Sequence, residues 1–229
     1  MKSSFLYTQA WDYLYEEGVV STAGWRGPLL RIRAVQGWSE VRLLRHELRV
    51  WVVYDRDHGS VITYHSDRFV VTSANGRSVK FAIGQTPERT LASDYFRFGV
   101  RSDTEPMNIA AAQVVSAVQR KVAEAQLPML RKELDAGRSA DFGALSATRD
   151  EIRCGGDVFR WHDVTGIKFT APWPSDDEVK SRDMARSEAV VRLSGKTASG
   201  SSKNVVLQAG EVHNLATLRE LWRQFSEQR

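Results

Sequence analysis

FRWHDVTGI, residues 159–167, sets a histidine beside an aspartate, behind a tryptophan and ahead of an apolar run. Read as chemistry, His162 and Asp163 are a candidate acid–base pair. Read as architecture, the stretch is the entry to a strand. An internal comparison separates the two. GWSEVRLL at 37–44 repeats the pattern of RWHDVTGI at 160–167: tryptophan, polar residue, acid, valine, two residues, apolar residue. His162 becomes Ser39 while Trp38, Glu40 and Val41 persist. A catalytic histidine is not expected to vanish from one copy of its own motif, so the stretch reads as a structural signature used twice. An enzyme built on His162 and Asp163 is kept as a remote alternative.

Outward from the two signatures, the chain has the material for one large or two small globular domains: 229 residues, 42% hydrophobic and 26% charged. Its one cysteine, Cys154, rules out an intramolecular disulfide and every multi-cysteine zinc pattern. A reducing compartment, the cytoplasm, is the expectation. No run approaches the roughly 18 apolar residues of a membrane helix, and MKSSFLYTQAWDYLYEE lacks the continuous apolar centre of a signal peptide. A soluble chain is expected.

From Trp11 to Ile83 short segments rich in Val, Tyr, Trp and Phe alternate with turn residues. LRVWVVYDRDHGSVITYH, residues 48–65, reads as a hairpin. RFVVTSANGRSVKFAI, residues 68–83, reads as a second, with Asn75-Gly76 suited to a tight type I′ turn. The period then changes. EPMNIAAAQVVSAVQRKVAEAQ, residues 105–126, places Ile109, Val114 or Val115, Val118 and Val122 on one helical stripe behind Asp103 or Thr104 as N-cap. Pro128 predicts a kink or a fresh helix start, and Gly137 a stop. The second half repeats the order: short strands from Phe142 to Thr170, a polar excursion, strands at 188–194 and 203–209, then a final helix. Asn214 is its expected cap, and Leu215, Leu218, Leu221, Trp222 and Phe225 line one face.

About seven strands closed by one helix, occurring twice, resembles the pleckstrin-homology-like superfold, and the wording resembles a tandem bacterial branch of uncharacterised function. YLYEEGVV at 13–20, GWSEVRLL at 37–44 and the joint LRKELDAGRSADFGALSAT at 130–148 leading into FRWHDVTGI carry the likeness. The resemblance implies an α+β protein of two small β barrels or sandwiches, each closed by a C-terminal helix. The first spans 1–136, with its long helix at about 105–126 kinked at Pro128; the second spans 137–229. It also implies that Trp38 and Trp161 are equivalent core anchors, with Glu40 and Asp163 bonding nearby backbone. Two additions, LASDYFRFGV at 91–100 and PWPSDDEVKSRDMARSE at 172–188, are expected on the surface.

For function, the composition leaves a binding or scaffold module that recognises a protein or peptide partner, without enzymatic activity and without a cofactor. Relatives of the superfold receive a peptide beside the closing helix. The aromatic segment of Tyr95, Phe96 and Phe98, interleaved with Arg97, is the candidate partner site, because aromatics and arginine dominate binding hot spots. The alternative is peripheral binding of anionic lipid headgroups. Residues 25–53 hold Arg26, Arg31, Arg33, Arg42, Arg45 and Arg49 against Glu40 and Glu47, and Arg26, Arg31 and Arg33 are the candidate anion-binding residues. Alternation along a strand sends Arg42 and Arg45 to opposite sides of a sheet. Nucleic acid is disfavoured, since 28 acidic residues oppose 32 basic ones and no nucleic-acid motif appears. The histidines are scattered and no P-loop, G-x-S-x-G or zinc pattern is present.

Overall fold

The computed structural model describes residues 12–14, 18–23, 31–84, 88–91, 109–170, 174–182 and 184–227. In its first half β1 (Asp12–Leu14), β2 (Gly18–Ala23) and β3 (Arg31–Gly37) form an antiparallel sheet. A 3₁₀ turn at Trp38–Glu40 leads into β4 (Val41–Asp55), which pairs with β5 (Ser60–Ser73). β6 (Ser78–Gly84) and β7 (Glu88–Leu91) both pair with β5, and helix α1 (Ile109–Asp135) follows. In the second half β8 (Ala140–Asp141), β9 (Leu145–Ala147), β10 (Glu151–Cys154) and β11 (Asp157–Arg160) form a meander. After a 3₁₀ turn at Trp161–Asp163 comes β12 (Val164–Thr170), then α2 (Asp176–Ser181) and β13 (Met184–Glu188). β14 (Val190–Lys196), β15 (Ser202–Gln208) and α3 (Leu215–Glu227) complete the chain. The architecture is α+β with antiparallel pairing. Of the barrels or sandwiches that the resemblance implies, closed barrels are not found: the described strands lie in four open sheets.

The two signature stretches adopt one local conformation. Gly37 and Arg160 enter their turns at φ −71°, ψ 146° and φ −68°, ψ 145°, and Val41 and Val164 leave them at φ −69°, ψ 120° and φ −76°, ψ 119°. Trp38 and Trp161 are both buried. Each turn feeds a strand that bulges directly after its first pair, Val41↔Ser73 and Val164↔Gly195. The hairpins β5–β6 and β14–β15 also share a turn: Ser73 N–H donates to Arg77 O and Gly76 N–H to Ser73 O, as Thr197 N–H does to Ser201 O and Gly200 N–H to Thr197 O. These are three-residue loops with glycine in the left-handed region, φ 79° and 88°. The two-residue type I′ turn expected at Asn75-Gly76 is therefore replaced by a type I turn with a glycine bulge. Asn75 keeps negative φ and spends its Oδ1 on Ser73 Oγ and Arg77 N–H.

Helix α1 buries Val115, Val118 and Val122, as its period requires. It runs through Pro128 to Asp135 as one element, so no fresh start occurs there. Pro128 and Glu124, whose carbonyl loses its amide partner, are both exposed, while Gln126 and Leu134 on either side are buried and hold the helix down. Gly137 N–H donates to Leu134 O and Arg138 N–H to Glu133 O, a Schellman stop.

Strand β4 is the backbone of the molecule. Its residue Leu44 enters a core with Trp38, Phe69, Val71 and the α1 valines. Leu48 enters the second-half core with Phe142, Ile152, Phe159, Trp161 and Leu218. Val50 and Val52 enter a third with Val61, Val179 and Ala185. The third core corrects a sequence expectation. Residues 174–188 supply α2, capped by Ser175 and Glu178, and β13, which pairs with β4 from Met184↔Val53 to Glu188↔Arg49. That insertion buries Val179 and extends a sheet of the other half. Residues 92–100 of the first insertion lie outside the described residues. No helix among the described residues is long and apolar enough to cross a membrane.

Candidate partner-binding site

The site begins with a polar knot. The bulge after Val41 frees backbone groups of β4, and they are met from α1 and from the turn ahead of α3. Asn214 Oδ1 accepts from Leu44 N–H at 2.7 Å and Asn214 Nδ2 donates to Arg42 O at 2.9 Å. Gln126 Nε2 donates to Val41 O at 3.1 Å and to Asn214 Oδ1 at 3.2 Å, while its Oε1 accepts from Thr217 Oγ1 at 2.9 Å. Asn214 sits at φ 51°, a conformation asparagine tolerates better than most residues. Its side chain is thus committed to β4, where the sequence suggested a cap for α3. All three side chains are buried and fully paired, which holds α1 and α3 side by side.

Between the helices lies an open groove of about 430 Å³. Ser116, Gln119, Arg120, Ala123, Glu124 and Leu127 of α1 form one wall; Ala216, Arg219, Glu220 and Arg223 of α3 form the other. Ala123 and Ala216, with their short side chains, leave room at the floor. The rims carry charge: Arg120 lies 3.7 Å from Glu124, Arg223 pairs with Glu220, and Arg219 Nε donates to Ile167 O at 2.9 Å. Each wall thus carries its own arginine–glutamate pair, Arg120–Glu124 on α1 and Arg223–Glu220 on α3, with Arg219 beside the second.

A buried pair stands behind the groove. Gln119 Nε2 lies 3.0 Å from His46 Nδ1, and His46 Nε2 lies 2.6 Å from Asp67 Oδ1. With the glutamine amide donating to Nδ1, the His46 Nε2–H donates to Asp67. The ring is stacked between Phe69 at 4.5 Å and Phe169 at 4.7 Å, nearly parallel to both. Both ring nitrogens are engaged, so the histidine orients Gln119 at the groove wall. The second Asp67 oxygen is buried without a hydrogen-bond partner among the described residues.

The residues singled out in the sequence lie elsewhere. Tyr95, Phe96, Phe98 and Arg26 are outside the described residues, as are the side chains of Arg31 and Arg33 on β3. Of the same arginine run, Arg42 is exposed, with Nη1 3.1 Å from Met129 Sδ. Arg45 reaches His213 Nε2 at 3.4 Å, and Arg49 lies 3.3 Å from Glu47 and 3.8 Å from Glu188. Arg45 and Arg49 are thus turned toward the second half. His162 is exposed beside Asp163 at 3.5 Å. Burial, reinforced by the Asp157 carboxylate, pushes the Cys154 thiol above its ordinary pKa, which suits a packing role. Sequence reasoning missed the groove because its walls are the polar faces of helices about 90 residues apart. A signal was present: Gln119 and Gln126, two turns apart, flank the buried stripe of Val118 and Val122.

The fold and groove define an α+β protein whose two closing helices are clamped together. A model of a family of unknown function (DUF6585) matches residues 106–172, from ahead of α1 through β12. Comparison with curated proteins and with solved structures gives no match.

Proposed function

We propose that the chain is a non-enzymatic binding module that takes a protein or peptide partner in the groove between α1 and α3. The observation that carries this reading is the groove itself, open along its length, apolar at its floor and edged by arginine and glutamate. We further infer a tandem of pleckstrin-homology-like units, residues 1–136 and 137–229, working in the cytoplasm. The matched Trp turns, the bulges after them and the paired glycine-bulge hairpins support the duplication.

The test fills the groove. Ala216→Trp keeps an apolar side chain on α3 but occupies the floor, so cross-linking in cells should lose the partners captured by the wild type while the thermal midpoint stays unchanged. Capture of the same partners by Ala216→Trp would remove the groove from the account. Recruitment to anionic liposomes, abolished by Arg31→Glu/Arg33→Glu and untouched by Ala216→Trp, would instead favour the headgroup reading of the arginine run.

A further inference from the structure

β15 is the last strand of its sheet, bonded to β14 on one side and to no strand on the other among the described residues. The Thr197 N–H bond to Ser201 O sets the phase of this ladder. Residues 203, 205 and 207 therefore bond β14, while Ser202, Asn204 and Val206 aim their N–H and C=O groups outward. All three are exposed, Val206 by 52% in spite of its apolar side chain. Gln208, next in the outward series, already spends its N–H on a carboxylate, Glu211 Oε2 at 3.3 Å.

The face that carries these side chains is cationic. The register sets Lys168 opposite Arg192 and Arg192 opposite Val206, with Lys196 opposite Ser202. Lys168, Arg192 and Lys196 are exposed and make no ion pair among the described residues. No acidic side chain stands in these cross-strand rows. The open backbone edge of β15 thus adjoins two uncompensated cations of β14, Arg192 and Lys196.

We propose that the β15 edge receives an extended acidic peptide as an added strand, with alternate Asp or Glu side chains meeting Arg192 over Val206 and Lys196 over Ser202. Such a strand lies ~4.8 Å from β15 and ~10 Å from β14, a span the Arg192 stem covers by lying over Val206. Main-chain bonds supply affinity and the cations choose the peptide. The surface is separate from the helix groove and stands or falls without it.

The experiment measures fluorescence anisotropy of a labelled synthetic peptide, Thr-Glu-Val-Glu-Val-Glu-Thr, added to the full chain. Saturable binding that weakens with salt is expected. Arg192→Glu should weaken it at least tenfold. Val206→Pro should do the same by removing an outward N–H, and it spares the β14 ladder because the bonds to β14 belong to the odd residues. Ala216→Trp should have no effect. The decisive control is the same peptide with its backbone amides N-methylated, which keeps the charge and cannot add a strand. Equal binding of the methylated peptide, or of a peptide with lysine in place of glutamate, would overturn the proposal, as would no binding of the acidic peptide at all.

Discussion

At the scale of single residues the molecule depends on a few polar groups whose partners are all internal. Asn214→Ala leaves Leu44 N–H buried without a partner, removes one of the two donors to Arg42 O and keeps a strained φ, so a loss of about 2–4 kcal/mol is expected in urea unfolding. Asn214→Gly relieves the backbone and should recover part of it; full wild-type stability in the glycine variant would show that the side-chain bonds contribute nothing. At Gly143, φ 82°, a Cβ would stand 2.1 Å from Glu211 O, so Gly143→Ala should abolish the close contact of β8–β9 with the turn before α3 and destabilise by ~3 kcal/mol or more. His213 gives a pH dependence. Burial, then the Arg45 guanidinium, holds its pKa below the ordinary 6.5. As pH falls the unfolded chain takes up this proton first, so the contribution is whole above about pH 6.5 and is lost below it. His213→Gln should flatten the fall in thermal midpoint between about pH 7.5 and 5.5; an equally steep fall in the variant would assign the dependence to other groups.

Among the elements, α1 shows most clearly how packing overrules local preference. A proline in a helix interior costs about 3 kcal/mol through its missing amide and its clash with the preceding turn. The helix tolerates it because Val115, Val118 and Val122 are buried ahead of it, Leu134 is buried behind it, and Gln126 is bonded to β4. Pro128→Ala restores a donor to the exposed Glu124 carbonyl and should raise stability by roughly 1–2 kcal/mol. A lower urea midpoint would mean that the bend at Pro128 is needed to seat Leu130 and Leu134. In β4 and β5 the same principle acts through length. Strands of 15 and 14 residues outrun the core they start in, and α2 and β13 cover the excess by burying Val50, Val52 and Val61.

For the whole molecule, the shared strand ties the halves together. Leu48 belongs to the second-half core, Phe169 of β12 stacks on His46 of β4, and β13 pairs with β4. Unfolding one half exposes apolar surface of the other, so a single cooperative transition is expected. Trp38 and Trp161 lie in different cores, and each reports on its own core in a variant whose other six tryptophans are replaced by phenylalanine. Coincident urea midpoints by fluorescence are the expected outcome, and two resolved midpoints would make the halves independent.

What the sequence determined by itself is local. The Trp-x-acid-Val signature, the α1 stripe, the Gly137 stop and the apolar face of α3 each follow from residues within a few positions of one another, where backbone sterics and periodicity act directly. The turn at Asn75-Gly76 was legible as a turn but not as a type, because loop length depends on the register of the strands that flank it. Tertiary structure alone decided the rest. The Asn214 side chain serves β4 and not the first turn of α3 because the bulge after Val41 offered buried, unpaired backbone groups, and an unpaired buried donor costs more than an exposed one. The excursion at 172–188 looked like surface because its own composition is largely polar; two of its apolar residues, Val179 and Ala185, become core only beside a strand about 130 positions away. The groove is equally non-local, since its walls are polar faces that become a site only when Gln126, Asn214 and Thr217 bring two distant helices together.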